Sequence, residues 1–111
     1  MTSKRGEIWT ASGGPDYAGK PRPVVLLQDD RFAGTASITV CPLTTSSARA
    51  QTARPVIRPT ADNGLTRPCR FKVDKITTLP KRKLGARIGR LDGPDIVRLN
   101  RAVLVFLGLA G

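Results

Sequence analysis

The chain has 111 residues, 40% of them hydrophobic and spread along its length, enough for one modest core and a single domain over residues 1–111. Nineteen Lys and Arg face eight Asp and Glu, and histidine is absent, so the formal charge is +11. That balance predicts salt-sensitive attraction to a polyanion and excludes any proton relay built on imidazole.

Residues 5–11 read as a first strand, with Ile8 pointing inward and Trp9 on the other face, broken by Ser12-Gly13-Gly14-Pro15-Asp16. A glycine-bounded loop follows and carries Tyr17. Val24, Val25, Leu26 and Leu27 form a continuous apolar run, the pattern of a short strand buried on both faces, which Gln28, Asp29 and Asp30 end. A third strand, rich in β-branched residues, covers 38–43, and a polar loop of small residues covers 46–52. Pro55 and Pro59 bracket Val56 and Ile57, and proline's missing N–H confines such a segment to a sheet edge or a very short strand. Asp62-Asn63-Gly64 is a turn suited to positive φ.

Cys69, Phe71 and Val73 then alternate with Arg70, Lys72 and Asp74 until the period slips at Lys75-Ile76, which marks a bulge or a strand end. Pro80 opens a short helical turn leading through Leu84-Gly85 into a last strand over 86–91, with Ile88 inward. Asp92 or Gly93 caps a terminal helix, Pro94 suits its first position, Ile96, Leu99, Val103 and Phe106 recur at helical spacing, and Gly108 stops it. Five or six short strands and one C-terminal helix predict a mainly β fold, a small, partly open antiparallel barrel with the helix packed on it.

Between residues 67 and 90, nine Lys and Arg face the single acid Asp74, yet apolar residues interleave them, so the charge belongs to folded structure and not to a tail. Lys81-Arg82-Lys83 is most simply a solvated face. Cys41 and Cys69 show neither metal spacing nor a disulfide framework and read as reduced thiols. No apolar run reaches membrane-spanning length and the N-terminus lacks a signal-peptide core, so a soluble, cytoplasmic protein without membrane partners is expected.

Two segments carry the chemistry. Lys20-Pro21-Arg22-Pro23-Val24-Val25-Leu26 puts a Pro-flanked arginine before one strand, and Val40-Cys41-Pro42-Leu43-Thr44-Thr45 puts hydroxyls at the end of the next. A positioned guanidinium beside a threonine hydroxyl suits phosphate chemistry, and RNA is the first substrate to consider. Trp9 and Phe71 read as core or dimer packing, whereas Tyr17 is the better candidate to stack on a base.

In order and spacing, Arg5-Gly6-Glu7-Ile8-Trp9, Pro21-Arg22-Pro23-Val24-Val25, Val40-Cys41-Pro42-Leu43-Thr44, Asn63-Gly64-Leu65, Val73-Asp74-Lys75-Ile76-Thr77-Thr78-Leu79 and Ile88-Gly89-Arg90-Leu91 resemble the blocks of the MazF/PemK toxins, over nearly the whole chain. The resemblance implies an SH3-like, CcdB-like barrel that forms a homodimer and cleaves single-stranded RNA at short sequences without metal or cofactor. It also implies an acidic antitoxin whose tail occupies the RNA groove. It carries the family's catalytic arginine onto Arg22 and its catalytic threonine onto Thr44, with Thr45 as the neighbouring hydroxyl. Together with the residue reading, it leaves Tyr17, Lys20, Thr45, Cys69 and Lys75 as the candidate substrate-binding positions.

The implied reaction is attack of the ribose 2′-OH on the adjacent phosphorus, giving a 2′,3′-cyclic phosphate and a 5′-OH, so DNA should resist. Arg22 would offer a bidentate fork to the non-bridging oxygens and Thr44 one orienting hydrogen bond. Glu7 or Asp16 could approach in space, and the general base stays unassigned. Three features depart from the family pattern: a short first loop over 12–20, Cys69 where serine is common, and Lys75 where glutamine is common. Two other readings compete. A CcdB-like, non-enzymatic gyrase poison would share the barrel, although the terminal Trp-Gly-Ile is missing; a non-catalytic RNA-binding module would share the charge.

Overall fold

Short apolar runs punctuated by Gly and Pro favour strands over helices, and the computed structural model, which describes residues 3–12, 20–46 and 54–111, follows that preference. The described strands are β1 (Glu7–Ala11), β2 (Arg22–Leu26), β3 (Ser37–Thr44), β4 (Val56–Ile57), β5 (Cys69–Phe71), β6 (Thr77–Pro80) and β7 (Leu84–Arg90), followed by the helix α1 (Gly93–Phe106). Every pairing is antiparallel and the order is β4-β5-β3-β2-β1-β7. β3 is the hub: β2 occupies one edge, while β6 pairs with its first half and β5 with its last two residues along the other.

The result is a curled half-barrel, and the pleat divides its apolar residues into two clusters. Ile8, Val25, Cys41, Leu43 and Phe71 face α1, which inserts Leu99, while Trp9, Val24, Leu26, Ile38 and Val40 bury against Leu84 and Leu79 on the other face. The continuous run in β2 is therefore the mark of a strand covered on both sides, as its sequence predicts. Trp9 and Phe71 are both core side chains, with exposures of 3% and 0%.

The sequence expectation of five or six strands omits β6. Its residues, Thr-Thr-Leu-Pro, show no clear alternation because this strand pairs with β3 alone and leaves Thr77 and Thr78 exposed. The helical turn predicted after Pro80 is a 3-10 turn over Lys81–Lys83, and β7 begins at its end, two residues earlier than expected. β5 stops at Phe71, before the slip in period, because Val73–Lys75 wind into a second 3-10 turn closed by Lys75 N–H donating to the Lys72 carbonyl at 2.9 Å.

At the helix start the choice between Asp92 and Gly93 falls to Asp92, whose carboxylate accepts from Asp95 N–H at 3.0 Å. Gly108 stops the helix in the left-handed region at φ +75. Ile96, Leu99 and Val103 pack inward, whereas Phe106 stays 42% exposed. Among the described residues no helix is long and apolar enough to cross a membrane.

The turn at 60–64 is held by one buried side chain and meets β7 through its backbone, Arg90 N–H donating to the Asp62 carbonyl at 2.9 Å. Asn63 Oδ1 accepts from Thr60 N–H and Leu65 N–H, both at 3.0 Å, and Asn63 Nδ2 donates to the Arg58 carbonyl at 2.8 Å. Gly64 holds φ +72, and Gly89 lies so close to Asn63 that a Cβ there would come within 2.3 Å of its carbonyl carbon. Asn63→Ala strands these backbone groups, with an expected loss of about 2–3 kcal/mol, read as a lowered denaturation midpoint at unchanged slope. A midpoint equal to that of the parent protein would show that the turn contributes nothing.

Candidate active site

β-pairing, not sequence proximity, assembles the site. Arg22 opens β2 opposite Ala11 of β1, and continuing the Val24–Pro42 register brings it across from Thr44, which itself pairs with Arg70 of β5. Cross-strand partners share a face, so Ala11, Arg22, Thr44 and Arg70 form one row on the Trp9 side of the sheet. The next row carries Val24 and Pro42, whose carbonyl accepts from Lys72 N–H at 2.9 Å. Apolar packing gives way to cations and hydroxyls where these rows reach the end of β3.

A cleft of about 320 Å³ opens there, lined by Arg22, Thr44, Thr45, Ser46, Cys69 and Lys72 over a floor of Pro23, Pro42 and Leu43. Four of the positions singled out in the sequence, Arg22, Thr44, Thr45 and Cys69, therefore meet. Lys20, exposed just before β2, and Lys75, exposed at the end of its 3-10 turn, do not line the cleft. Tyr17 and Asp16 lie outside the described residues.

Thr44 Oγ1 accepts from Ser46 N–H at 3.1 Å. That contact uses a lone pair and leaves the hydroxyl hydrogen to donate outward. Arg22 is exposed, and its guanidinium makes no hydrogen bond or ion pair with any described residue. Its five N–H groups are available to an anion.

Among the described residues, no carboxylate lines this cleft. Asp74 is clamped by Arg54, with Nε and Nη2 donating to its two oxygens at 2.8 and 2.7 Å. Glu7, the candidate base from the sequence, is buried at the far end of β1, where it accepts from Lys4 N–H and the Trp9 indole and pairs with Arg87 at 2.9 Å. It is a structural acid, separated along the strand from the position opposite Arg22 by about 13 Å.

Cys69 borders the cleft but belongs to the packed side of the sheet, donating to the Arg67 carbonyl at 3.5 Å. Burial raises the pKa of its thiol, and burial likewise pushes Cys41 up to about 12, so neither is a thiolate nucleophile near neutrality. Among the described residues no three His, Cys, Asp or Glu side chains gather in a way that could hold a metal ion. The arrangement suits recognition and electrostatic stabilisation of a phosphodiester.

Lys72 and Ser46 line the cleft without having been singled out in the sequence. The alternation over 69–74 does place Lys72 opposite Cys69 and Phe71, but only the pairing of β5 with the end of β3 shows which cleft it meets.

Residues 4–107 match the family model for a PemK-like, MazF-like toxin of type II toxin-antitoxin systems. A probable endoribonuclease MazF of Mycolicibacterium smegmatis is 51% identical over 108 residues, covering 97% of this chain and 99% of that protein. Among solved structures, the Mycobacterium tuberculosis toxin MazF-mt6 superposes with a TM-score of 0.76 at 28% identity, covering 95% of this chain and 99% of that one. An endoribonuclease from a mycobacterial species, solved in complex with its cognate antitoxin, shares the fold with a TM-score of 0.77 at 24% identity over 98% of both chains.

Proposed function

The chain belongs to the family of PemK-like, MazF-like toxins of type II toxin-antitoxin systems, and from that premise we propose that it is a metal-independent endoribonuclease acting on single-stranded RNA in the cytoplasm. The observation that carries this reading is the meeting of Arg22 and Thr44 in one cleft whose described lining holds no carboxylate.

The substrate supplies the nucleophile. The ribose 2′-oxygen gives up its proton to solvent and bonds to the adjacent phosphorus while the bond from phosphorus to the 5′-oxygen breaks and that oxygen takes a proton from solvent, so the products end in a 2′,3′-cyclic phosphate and a 5′-OH. Negative charge grows on the non-bridging oxygens as the phosphorus becomes five-coordinate, and the Arg22 fork meets that charge with two parallel hydrogen bonds. Thr44 donates its hydroxyl to the same phosphate and fixes its orientation, while one of its lone pairs is engaged by Ser46 N–H. Arg22 acts by charge: a guanidinium is a permanent cation and a poor proton acceptor.

A cognate antitoxin is the second partner, and a chain of net charge +11 calls for an acidic one, seated so that it excludes RNA. A third partner is a second copy of this chain. Leu104, Val105, Phe106, Leu107 and Leu109 form an exposed apolar end to α1, continuous with a groove of about 670 Å³ over Pro55, Val73 and Ala102. Monomers seldom expose such a patch. Val105→Lys is expected to halve the mass measured by light scattering, whereas an unchanged mass would remove this face from the dimer.

The activity itself is tested by incubating the protein in EDTA with a long single-stranded RNA and with its DNA copy. Discrete cuts in RNA and none in DNA are expected. DNA breaks trapped on purified gyrase, with RNA intact, would favour a gyrase poison, and tight binding without cutting across a sequence-diverse pool would favour a plain RNA-binding module.

A further inference from the structure

We propose that Lys72 is a further substrate-binding residue for the ribonuclease reaction, holding the phosphate that neighbours the scissile one, so that the cleft grips two consecutive phosphates and not one. This role rests on the ribonuclease function proposed for the cleft and adds to it a residue that lies outside the Arg22 and Thr44 pair.

The geometry comes from the sheet. Lys72 lies immediately beyond β5, held on both sides by its backbone: its N–H donates to the Pro42 carbonyl and its carbonyl accepts from Lys75 N–H, each at 2.9 Å. Continuing the β3–β5 register pairs Lys72 with Pro42, on the face that carries Thr44. Arg22 comes from β2, across β3. The two backbones are thus two strand spacings apart, about 10 Å, with Thr44 on the strand between them. Two cations approaching one cleft from opposite sides of a central hydroxyl suit adjacent phosphates of an extended strand.

Among the described residues, the two charges also lack partners. Arg87 is committed to Glu7, Arg54 to Asp74, Arg31 to Asp29 and Arg98 to Asp95, while Arg70 donates to the Arg54 carbonyl and Lys81 to the Ala33 carbonyl. Lys72 has no side-chain hydrogen bond or ion pair with any described residue, and neither does Arg22. Two like charges around one cleft, neither paired with a described residue, repel until an anion with more than one charge enters it. A strand of RNA is such an anion, and each phosphate that it brings against a fixed cation releases counterions.

The test uses the full-length protein and a short RNA made uncleavable by a single 2′-deoxy at the scissile ribose. Lys72→Met keeps the length of the side chain and removes its charge. Binding is expected to weaken about tenfold, and the slope of log affinity against log salt to become shallower by about 0.7, the share of one phosphate on a single strand. Lys72→Arg should restore both. With cleavable RNA the loss should fall in KM and leave kcat nearly unchanged, as expected for contacts made equally before and during reaction.

A series of the same RNA with one neutral methylphosphonate at successive linkages locates the contact. In the parent protein, neutralising the linkage next to the scissile one should weaken binding about as much as Lys72→Met does, and the two changes together should cost no more than either alone. Equal salt slopes in the parent and Lys72→Met, or a parent protein sensitive only at the scissile linkage, would overturn the assignment. That second readout needs no variant to fold. A parent protein that neither binds nor cuts RNA would instead overturn the ribonuclease function and take the role of Lys72 with it.

Discussion

Arg22→Ala is expected to slow RNA cleavage about 100- to 1000-fold, the usual effect of removing one preorganised donor from a developing oxyanion. The side chain is exposed at the first residue of β2 and has no bond to any described residue, so its loss leaves no buried group stranded. The fold should therefore survive, and the circular dichroism spectrum and melting temperature should stay those of the parent. Arg22→Lys separates charge from geometry: it keeps the cation but loses the fork, and its rate should fall between the two. An Arg22→Ala protein that cleaves at the parent rate would end the assignment.

A larger effect should come from the substrate. Replacing the scissile ribose by a 2′-deoxyribose deletes the nucleophile, and cleavage at that linkage should vanish while binding persists. No described side chain of the cleft can replace it, because the Cys69 thiol is held protonated by burial and Thr44, Thr45 and Ser46 are ordinary hydroxyls with no described base beside them. A labelled oligonucleotide with one deoxy position, compared with its all-ribose parent in the same chelator, reads both cleavage and affinity. Continued cutting at the deoxy linkage would mean that water attacks the phosphorus and that the ribose 2′-oxygen is not the nucleophile.

Much of the scaffold is legible because periodicity reports burial directly. The unbroken Val24 to Leu26 run announces a strand covered on both faces, and Pro55 and Pro59 limit β4 to two residues at the sheet edge. Asp92, Pro94 and Gly108 mark the ends of α1 by local chemistry alone. β6 escapes because its partner lies on one side only, so Thr77 and Thr78 face solvent and the alternation fades.

The site divides along the same line. Arg22 and Thr44 stand out through their proline-flanked segments, but their meeting depends on the register between β2 and β3. Lys72 is one of many basic residues in its stretch of sequence. Only the pairing of β5 with the last two residues of β3 separates it from Lys75, which sits three residues on and outside the cleft. Glu7 illustrates the converse: a carboxylate that looks available in sequence is occupied by Trp9, Lys4 and Arg87.

The chemical form of the new RNA ends, determined by mass spectrometry after cleavage in EDTA, tests the central claim most directly. The mechanism requires a 2′,3′-cyclic phosphate on one fragment and a 5′-OH on the other. A 3′-OH paired with a 5′-phosphate, or cleavage abolished by the chelator, would show that the ribose is not the nucleophile or that a metal does the work assigned to Arg22.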